Sequence, residues 1–252
     1  MASAHLDRRG VTGPQTTRAV VLRTVKYSDK SVVLRAYTER FGLRAYLVRT
    51  GGKGTSRQAA LQPLARVELV APEAREHSMR AVSDLRIDRP YTRVQQEPRR
   101  GVLLLFAQEV LDRTLREEAA DPHLYGFVQE TLESLDTDPD TAHQPLRMLV
   151  GLAKRLGFFP GLPVEGEDRF DLREGYFFRG DAPHEFCMEP AAAALFARLI
   201  MEEEGMVQDG GARGSSAAAR RSTMDDLLLY FRLHVEGFGE LRSLDVLRTV
   251  LD

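Results

Sequence analysis

The stretch from Arg18 to Gly54, RAVVLRTVKYSDKSVVLRAYTERFGLRAYLVRTGGKG, decides how this sequence is read. RAVVLRTVKY, SVVLRAYT and LRAYLVRT are rich in Val, Leu, Tyr and Thr, and they alternate apolar with polar or basic residues, the pattern of half-buried β-strands. LARVELVAP and SMRAVSDLRIDRPY continue the pattern to about Tyr91. Five short strands separated by turn signals predict a small sandwich or barrel, which strand spacing alone does not tell apart.

Outward from this stretch the character changes. Residues 1–16 are polar, carry Gly10, Gly13 and Pro14 without periodicity, and read as a mobile tail, with order beginning near Thr17. Beyond Glu97-Pro98 the apolar spacing becomes helical: GVLLLFAQEVLDRTLREE, HLYGFVQETLESLD, QPLRMLVGLAKRLG, EPAAAALFARLIMEEE, SSAAARRSTMDDLLLYFRLHVEG and SLDVLRTVLD. Proline suits the first turn of a helix, so the boundary is placed there, with domains over 17–96 and 97–252. Residues 166–188 interrupt the helices with a short hairpin, and Gly210 to Ser216 read as a flexible loop before a terminal helical pair. In that pair Phe231, Leu233, Val235 and Phe238 are expected to pack with Leu241, Leu244 and Leu247. The predicted fold class is α+β and multidomain.

Composition narrows the function. The 252 residues are 43% hydrophobic and 29% charged, an ordinary globular balance. No apolar run approaches the roughly 20 residues that cross a bilayer, and the N-terminal MASAHLDRRGVTGPQTT lacks the apolar centre of a secretory signal, so a cytoplasmic protein is expected. The single cysteine, Cys187, forms neither an internal disulfide nor a multi-cysteine zinc site, and reads as a small buried hydrophobe. Net charge is −2, but residues 1–96 hold 18 Lys and Arg against 8 Asp and Glu, and the remainder 17 against 29. A basic first half points to a polyanion, with nucleic acid foremost.

The loop GGKGTS resembles a nucleotide-phosphate cradle only superficially. Such a loop needs four residues between its first glycine and Gly-Lys, then Ser or Thr at once; here Gly54 follows Lys53, Gly42 lies ten residues before Gly52, and no helical pattern begins at Thr55. Two readings stay open: a flexible connection, or glycines that admit a nucleic-acid backbone while Lys53 and Arg57 meet its phosphates. With a turn at Glu39 to Gly42, the preceding hairpin would pair Leu34 with Leu47 and Ala36 with Ala45. The opposite face would then set Arg35 against Tyr46 and Tyr37 against Arg44. Alternating guanidinium and aromatic groups suit a single strand, since charges follow the backbone and rings stack on bases. The alternative packs these tyrosines under another element.

Catalytic constellations are poor. The six histidines, at 5, 77, 123, 143, 184 and 234, form no His-Glu-x-x-His motif, and Asp225-Asp226 and Glu202 to Glu204 read as solvated faces because neighbouring helical positions diverge. No enzyme and no cofactor are expected.

Five segments in order, RAVVLRTVKYSDKSVVLRAYTERFGLRAYLVRTGGKG, LQPLARVEL, LFAQEVLDRTLREE, LAKRLGFFPGL and HVEGFGELRSLDVL, resemble the RecO family of bacterial recombinational repair proteins over about residues 17–252. The resemblance implies a five-stranded OB-fold barrel followed by an all-helical domain with the hairpin insertion. It implies binding of single- and double-stranded DNA, annealing of complementary strands, and, with RecR, help in loading RecA onto strands coated by single-stranded DNA-binding protein. The basic strands and loop align with Arg23, Lys26, Lys30, Arg35, Arg44, Arg49, Lys53 and Arg57. Many members carry a four-cysteine zinc after the segment matching Gly157-Phe158-Phe159-Pro160; this chain has RFDLREGYFFRG and only Cys187, the zinc-less form. Arg113 and Arg116, beside Leu and Phe residues, are candidates for receiving the acidic tail of the single-strand binding protein. The competing function is an RNA-binding or ribosome-associated OB-fold protein, for which the same basic face would serve.

Overall fold

The structure, a computed structural model, describes residues 13–50, 55–72, 80–116, 119–207 and 212–251. Most of the expected tail and the loop 51–54, with Lys53, lie outside them. The chain divides into two compact units, one running to Pro90 and including the stretch just before Pro122, the other formed by the rest.

In the first unit β1 (Pro14–Ser28), β2 (Ser31–Thr38), β3 (Gly42–Arg49), β4 (Arg66–Pro72), β5 (Arg80–Ala81) and β6 (Asp84–Arg89) form one sheet in the order β5-β3-β2-β1-β4-β6. Six strands stand where five were expected, because SMRAVSDLRIDRPY breaks at Val82-Ser83. Arg80-Ala81 pairs in parallel with β3, and Asp84–Arg89 pairs antiparallel with β4. Between them the Val82 N–H donates to the Leu47 carbonyl at 2.9 Å and the Ser83 N–H to the Val70 carbonyl at 2.8 Å, so one segment is bonded to both edges and the sheet curls on itself. The strand β1 starts at Pro14, three residues before Thr17, since Pro14–Val20 are the ladder partners of Arg66–Pro72. From Ala19 to Ser28 β1 pairs with β2, and an extra residue, Leu22, interrupts that ladder between Val21 and Arg23. Such a bulge bends its strand and increases the twist. Ala19, Val21, Leu34, Ala36, Tyr46, Val48, Val67, Leu69 and Leu85 fill the interior of the curl.

The β2–β3 register departs by one residue from expectation: Leu34 faces Tyr46, Ala36 faces Arg44 and Thr38 faces Gly42. The turn is the cause. Glu39, Arg40 and Phe41 form a three-residue loop that closes on Gly42 at φ 66°, a left-handed position natural to glycine. The Thr38 hydroxyl accepts from the Phe41 N–H at 3.1 Å and donates to the Gly42 carbonyl at 2.8 Å. A short helix, α1 (Thr55–Ala59), also begins where none was expected, although its five residues make little more than one turn.

The second unit holds α2 (Pro98–Thr114), α3 (Pro122–Thr137), α4 (Gln144–Arg155), α5 (Pro190–Glu203), α6 (Ala217–His234) and α7 (Ser243–Leu251). The insertion is a three-stranded sheet and more than a hairpin: β7 (Arg169–Asp171) is flanked by β8 (Tyr176–Phe178) and β9 (Cys187–Met188). Phe170 anchors it through rings of Phe177, Phe196 and Tyr230, at centroid distances of 4.8, 5.0 and 5.6 Å. The Tyr230 hydroxyl donates to the Phe158 carbonyl at 2.6 Å, and burial pushes its pKa up to about 12.

Residues 91–97 belong to this unit because of two buried charges. The Asp136 carboxylate, 1% exposed, accepts the N–H groups of Thr92, Arg93 and Val94 and the Thr92 hydroxyl at 2.8–3.0 Å. The Arg100 guanidinium donates to the carbonyls of Leu135 and Asp138 at the end of α3 and pairs with Glu97. Burial opposes the charge on Asp136, yet the converging donors hold its pKa below the usual carboxylate value. Two expectations fail here. Leu233 is exposed rather than packed, and the half-buried Glu202 turns its side chain inward, accepting from Arg147 at 3.0 Å and from the Ala212 N–H at 2.7 Å.

Candidate nucleic-acid interface

Strand pairing sets Arg23 opposite Arg35, and Arg35 opposite Ala45; two residues further, Val25, Val33 and Leu47 align, and Arg49 lies opposite Ser31. Side chains alternate between faces, so these residues share the outer face of β1, β2 and β3, while Leu34, Tyr46 and Val48 point inward. This end of the outer face is open. Val25 is 52% exposed and Tyr27, the extra residue at a second irregularity between Lys26 and Ser28, is 62% exposed. Arg23, Ala45 and Arg49 are exposed as well, and Arg35, Val33 and Leu47 half-buried. The result is three guanidiniums around an aliphatic strip, with one solvent-facing aromatic ring beside it.

The structure therefore brings together three of the expected contact residues, Arg23, Arg35 and Arg49, and sets Lys26, Tyr37, Arg44 and Tyr46 apart from them, while Lys53 lies outside the described residues. Tyr37 shares the outer face but is 3% exposed, in a row with Val20 and Leu43, and its hydroxyl reaches the Asp121 carbonyl at 3.5 Å. Tyr46 is in the interior, 1% exposed; burial raises its pKa against the lowering by the Thr38 hydroxyl and the Arg80 and Arg44 charges. Neither ring can stack on a base, which corrects the single arginine-tyrosine face. Arg44 lies on the inward side opposite Ala36, donating to the Leu43 carbonyl at 2.8 Å. Lys26 points away from Arg23 by alternation with Val25, and pairs with Asp29 at 3.1 Å. Arg57 is half-buried on α1, and its Nε has no hydrogen-bond partner among the described residues.

Part of the basic excess is structural. Arg66 is buried and donates to the carbonyls of Arg89 and Pro90 at 3.2 and 3.4 Å, and buried Arg80 donates to that of Pro72 at 3.0 Å. Arg18 pairs with Glu39, and Arg86 with Glu68. The residues that sequence reasoning missed are Val25, Tyr27, Val33 and Leu47; alternation from Arg23 and Arg35 reaches Val25 and Val33, whereas Leu47 needs the β2–β3 register and Tyr27 the second irregularity in β1.

In the helical unit Arg113 donates to the Phe238 carbonyl at 2.6 Å and pairs with Glu109, while Arg116 donates to the Glu236 carbonyl. Glu109 in turn accepts the Arg242 and Ser243 N–H groups and the Ser243 hydroxyl at 2.8–3.0 Å, capping α7. Burial acts against its charge, but these donors and Arg113 keep its pKa low. Both arginines thus hold the segment that leads into α7. His143, also buried, links the Asp140 carboxylate to the Ser215 hydroxyl at 2.8 Å on each side, a serine-histidine-aspartate array that sequence spacing did not reveal. Asp140 is also held by Arg147 at 3.0 Å, and the array tethers the loop expected to be flexible before α6.

Among the described residues no helix is long and apolar enough to cross a membrane. Residues 14–91 match the family model described as recombination protein O N terminal, and residues 95–237 the one described as recombination protein O C terminal. A protein of Bacteroides fragilis named DNA repair protein RecO is 30% identical over 244 residues, spanning 94% of this chain and 99% of its own. Proteins of the same name are 28% identical over 251 residues in Porphyromonas gingivalis and 25% over 237 residues in Christiangramia forsetii, each covering at least 93% of this chain and 98% of the relative. With both halves of the family model matched in order and relatives aligned nearly end to end, the chain belongs to the RecO family of DNA repair proteins.

Proposed function

We propose that this chain is a non-enzymatic recombination mediator that holds single-stranded DNA on the outer face of β1, β2 and β3. The observation that carries the reading is the convergence of Arg23, Arg35 and Arg49 on one open face with Val25, Val33 and Leu47, beside the exposed ring of Tyr27. Guanidiniums neutralise phosphates and displace condensed counterions, while the ring and aliphatic strip offer unpaired bases a stacking surface. Arg44 and Arg57 belong to the same unit and add to its net positive charge, and Lys53, outside the described residues, is a further candidate contact. Neutralising one strand lowers the repulsion that a second must overcome, which is the physical basis for annealing and for contact with double-stranded DNA.

In this reading β5 and β6 count as one interrupted strand, which makes the curled sheet a five-stranded OB-fold barrel. With RecR, the chain helps load RecA onto DNA coated by single-stranded DNA-binding protein, in the cytoplasm and at the nucleoid during repair. If the acidic tail of that protein docks at Arg113 and Arg116, it must displace the carbonyls of Phe238 and Glu236, so the segment before α7 is its competitor. A pull-down with the tail peptide at low salt tests this, with no retention excluding it.

The deciding experiment is annealing of complementary oligonucleotides coated with the cognate single-strand binding protein. Acceleration by the chain is expected, and equal rates with and without it overturn the mediator role. Competition between DNA and RNA of identical sequence separates this reading from an RNA-binding OB-fold protein, which would prefer the RNA.

A further inference from the structure

We propose that Asp171, His184 and Cys187 form a binding site for one divalent transition-metal ion of the zinc class. Asp171 and Cys187 are direct ladder partners on β7 and β9, which fixes their side chains on one face of the small sheet. His184 is delivered by the loop that leads into β9. One ligand atom from each residue, a carboxylate oxygen, an imidazole nitrogen and the sulfur, lie within 4.8 Å of one another. The set differs from the four-thiolate site implied by the family resemblance, which a chain with one cysteine cannot build.

The surroundings fit a cation. Asp171 is buried, and its Oδ1 accepts the N–H groups of Arg173 and Glu174 at 2.9 and 3.1 Å, leaving Oδ2 turned toward His184 Nε2 at 3.1 Å. Such outer contacts orient a metal-binding carboxylate. Cys187 Sγ lies 3.6 Å from His184 Nδ1, which also receives the Phe186 N–H at 3.2 Å. The two ring nitrogens thus face different partners, and binding requires the imidazole to turn and give one nitrogen to the metal. Neighbouring cations are directed elsewhere: Arg169 pairs with Glu189 at 3.0 Å, and Arg173 stacks over Phe186 at 3.8 Å. A thiolate with an imidazole selects zinc or cobalt over magnesium and calcium, and three protein ligands leave one position for water. Occupancy would pin the loop before β9 to β7. None of its three residues belongs to the outer face of β1, β2 and β3.

Cobalt(II) titration of the full-length, chelator-stripped chain tests the proposal. The expected result is a saturable thiolate-to-cobalt absorption band together with the visible bands of a four-coordinate ion, both abolished by zinc. C187S should lose the charge-transfer band, and H184A and D171N the saturable binding; D171N retains the oxygen that accepts the turn N–H groups, and far-UV circular dichroism checks each variant. Zinc should also slow alkylation of Cys187 by iodoacetamide in the unmodified chain. Absence of the band, its survival in H184A, or an alkylation rate unchanged at saturating zinc would overturn the assignment.

Discussion

Replacing Arg23, Arg35 and Arg49 together by alanine should change the salt dependence of single-strand binding in a calculable way. Each phosphate neutralised on a single strand contributes about −0.7 to the slope of log K against log salt concentration, so removing three contacts should flatten the slope by about 2. Between 50 and 200 mM salt, the unmodified chain should then lose about twenty-fold more affinity than the variant. Tyr27→Ala should behave differently. Stacking is worth about 1–3 kcal/mol per base, so this change should weaken binding by about five- to 150-fold with little effect on the slope. Fluorescence anisotropy with a labelled oligonucleotide at several salt concentrations reads both quantities, and circular dichroism checks that the substitutions leave the sheet intact. An unchanged slope in the triple variant, or a slope lost instead in a variant at Arg44 and Arg57, would refute the assignment of the face.

Tyr46→Ala should cost stability, about 3–5 kcal/mol by urea unfolding, because it empties part of the sheet's interior; a DNA-binding defect in a fully stable Tyr46→Ala protein would argue against the register. Asp136→Asn should cost about 2–3 kcal/mol at pH 7, since four donors lose an ionised acceptor. The folded pKa of Asp136 lies below its unfolded value of about 3.9, so this stabilisation is complete above pH 4 and is lost as pH falls through the folded pKa; the difference between the two proteins should shrink on acidification. Asp226 works in the opposite sense: burial, with Asp225 and Glu189 nearby, raises its pKa to about 6, so the folded chain holds the proton more tightly and stability falls as pH rises from 4 to 6. Asp226→Asn should therefore raise stability by about 1–2 kcal/mol at pH 7, allowing for partial exposure, and leave it unchanged at pH 4, as thermal unfolding at both values will show. Glu109→Ala removes the α7 cap, and limited proteolysis should cut between Glu236 and Ser243 far faster than in the unmodified chain.

The strands and helices were legible because their signals are local and periodic: apolar residues recur every second position to about Tyr91 and at helical spacing afterwards. What escaped is what periodicity cannot carry. Glu109 and Ser243 are 134 residues apart in sequence, and Asp171, His184 and Cys187 meet only because β9 pairs with β7. The β2–β3 turn did leave a trace, since a glycine at the fourth position after Thr38 is the mark of a three-residue loop, and reading it would have moved Tyr46 inward.

The bulge at Leu22 shows why such details decide function. Before it, Ala19 and Val21 point inward; by simple alternation Arg23 would follow them into the interior, yet Arg23 faces Arg35 on the outside, because one extra residue reverses the parity of everything after it. Without the insertion Arg23 and Val25 would be driven into the space that Val21 and Leu34 fill. The bend that helps the sheet to curl on itself is thus the same feature that aims Arg23 at solvent, and a substitution at Leu22 that straightened the strand would disturb the curl and the basic face together.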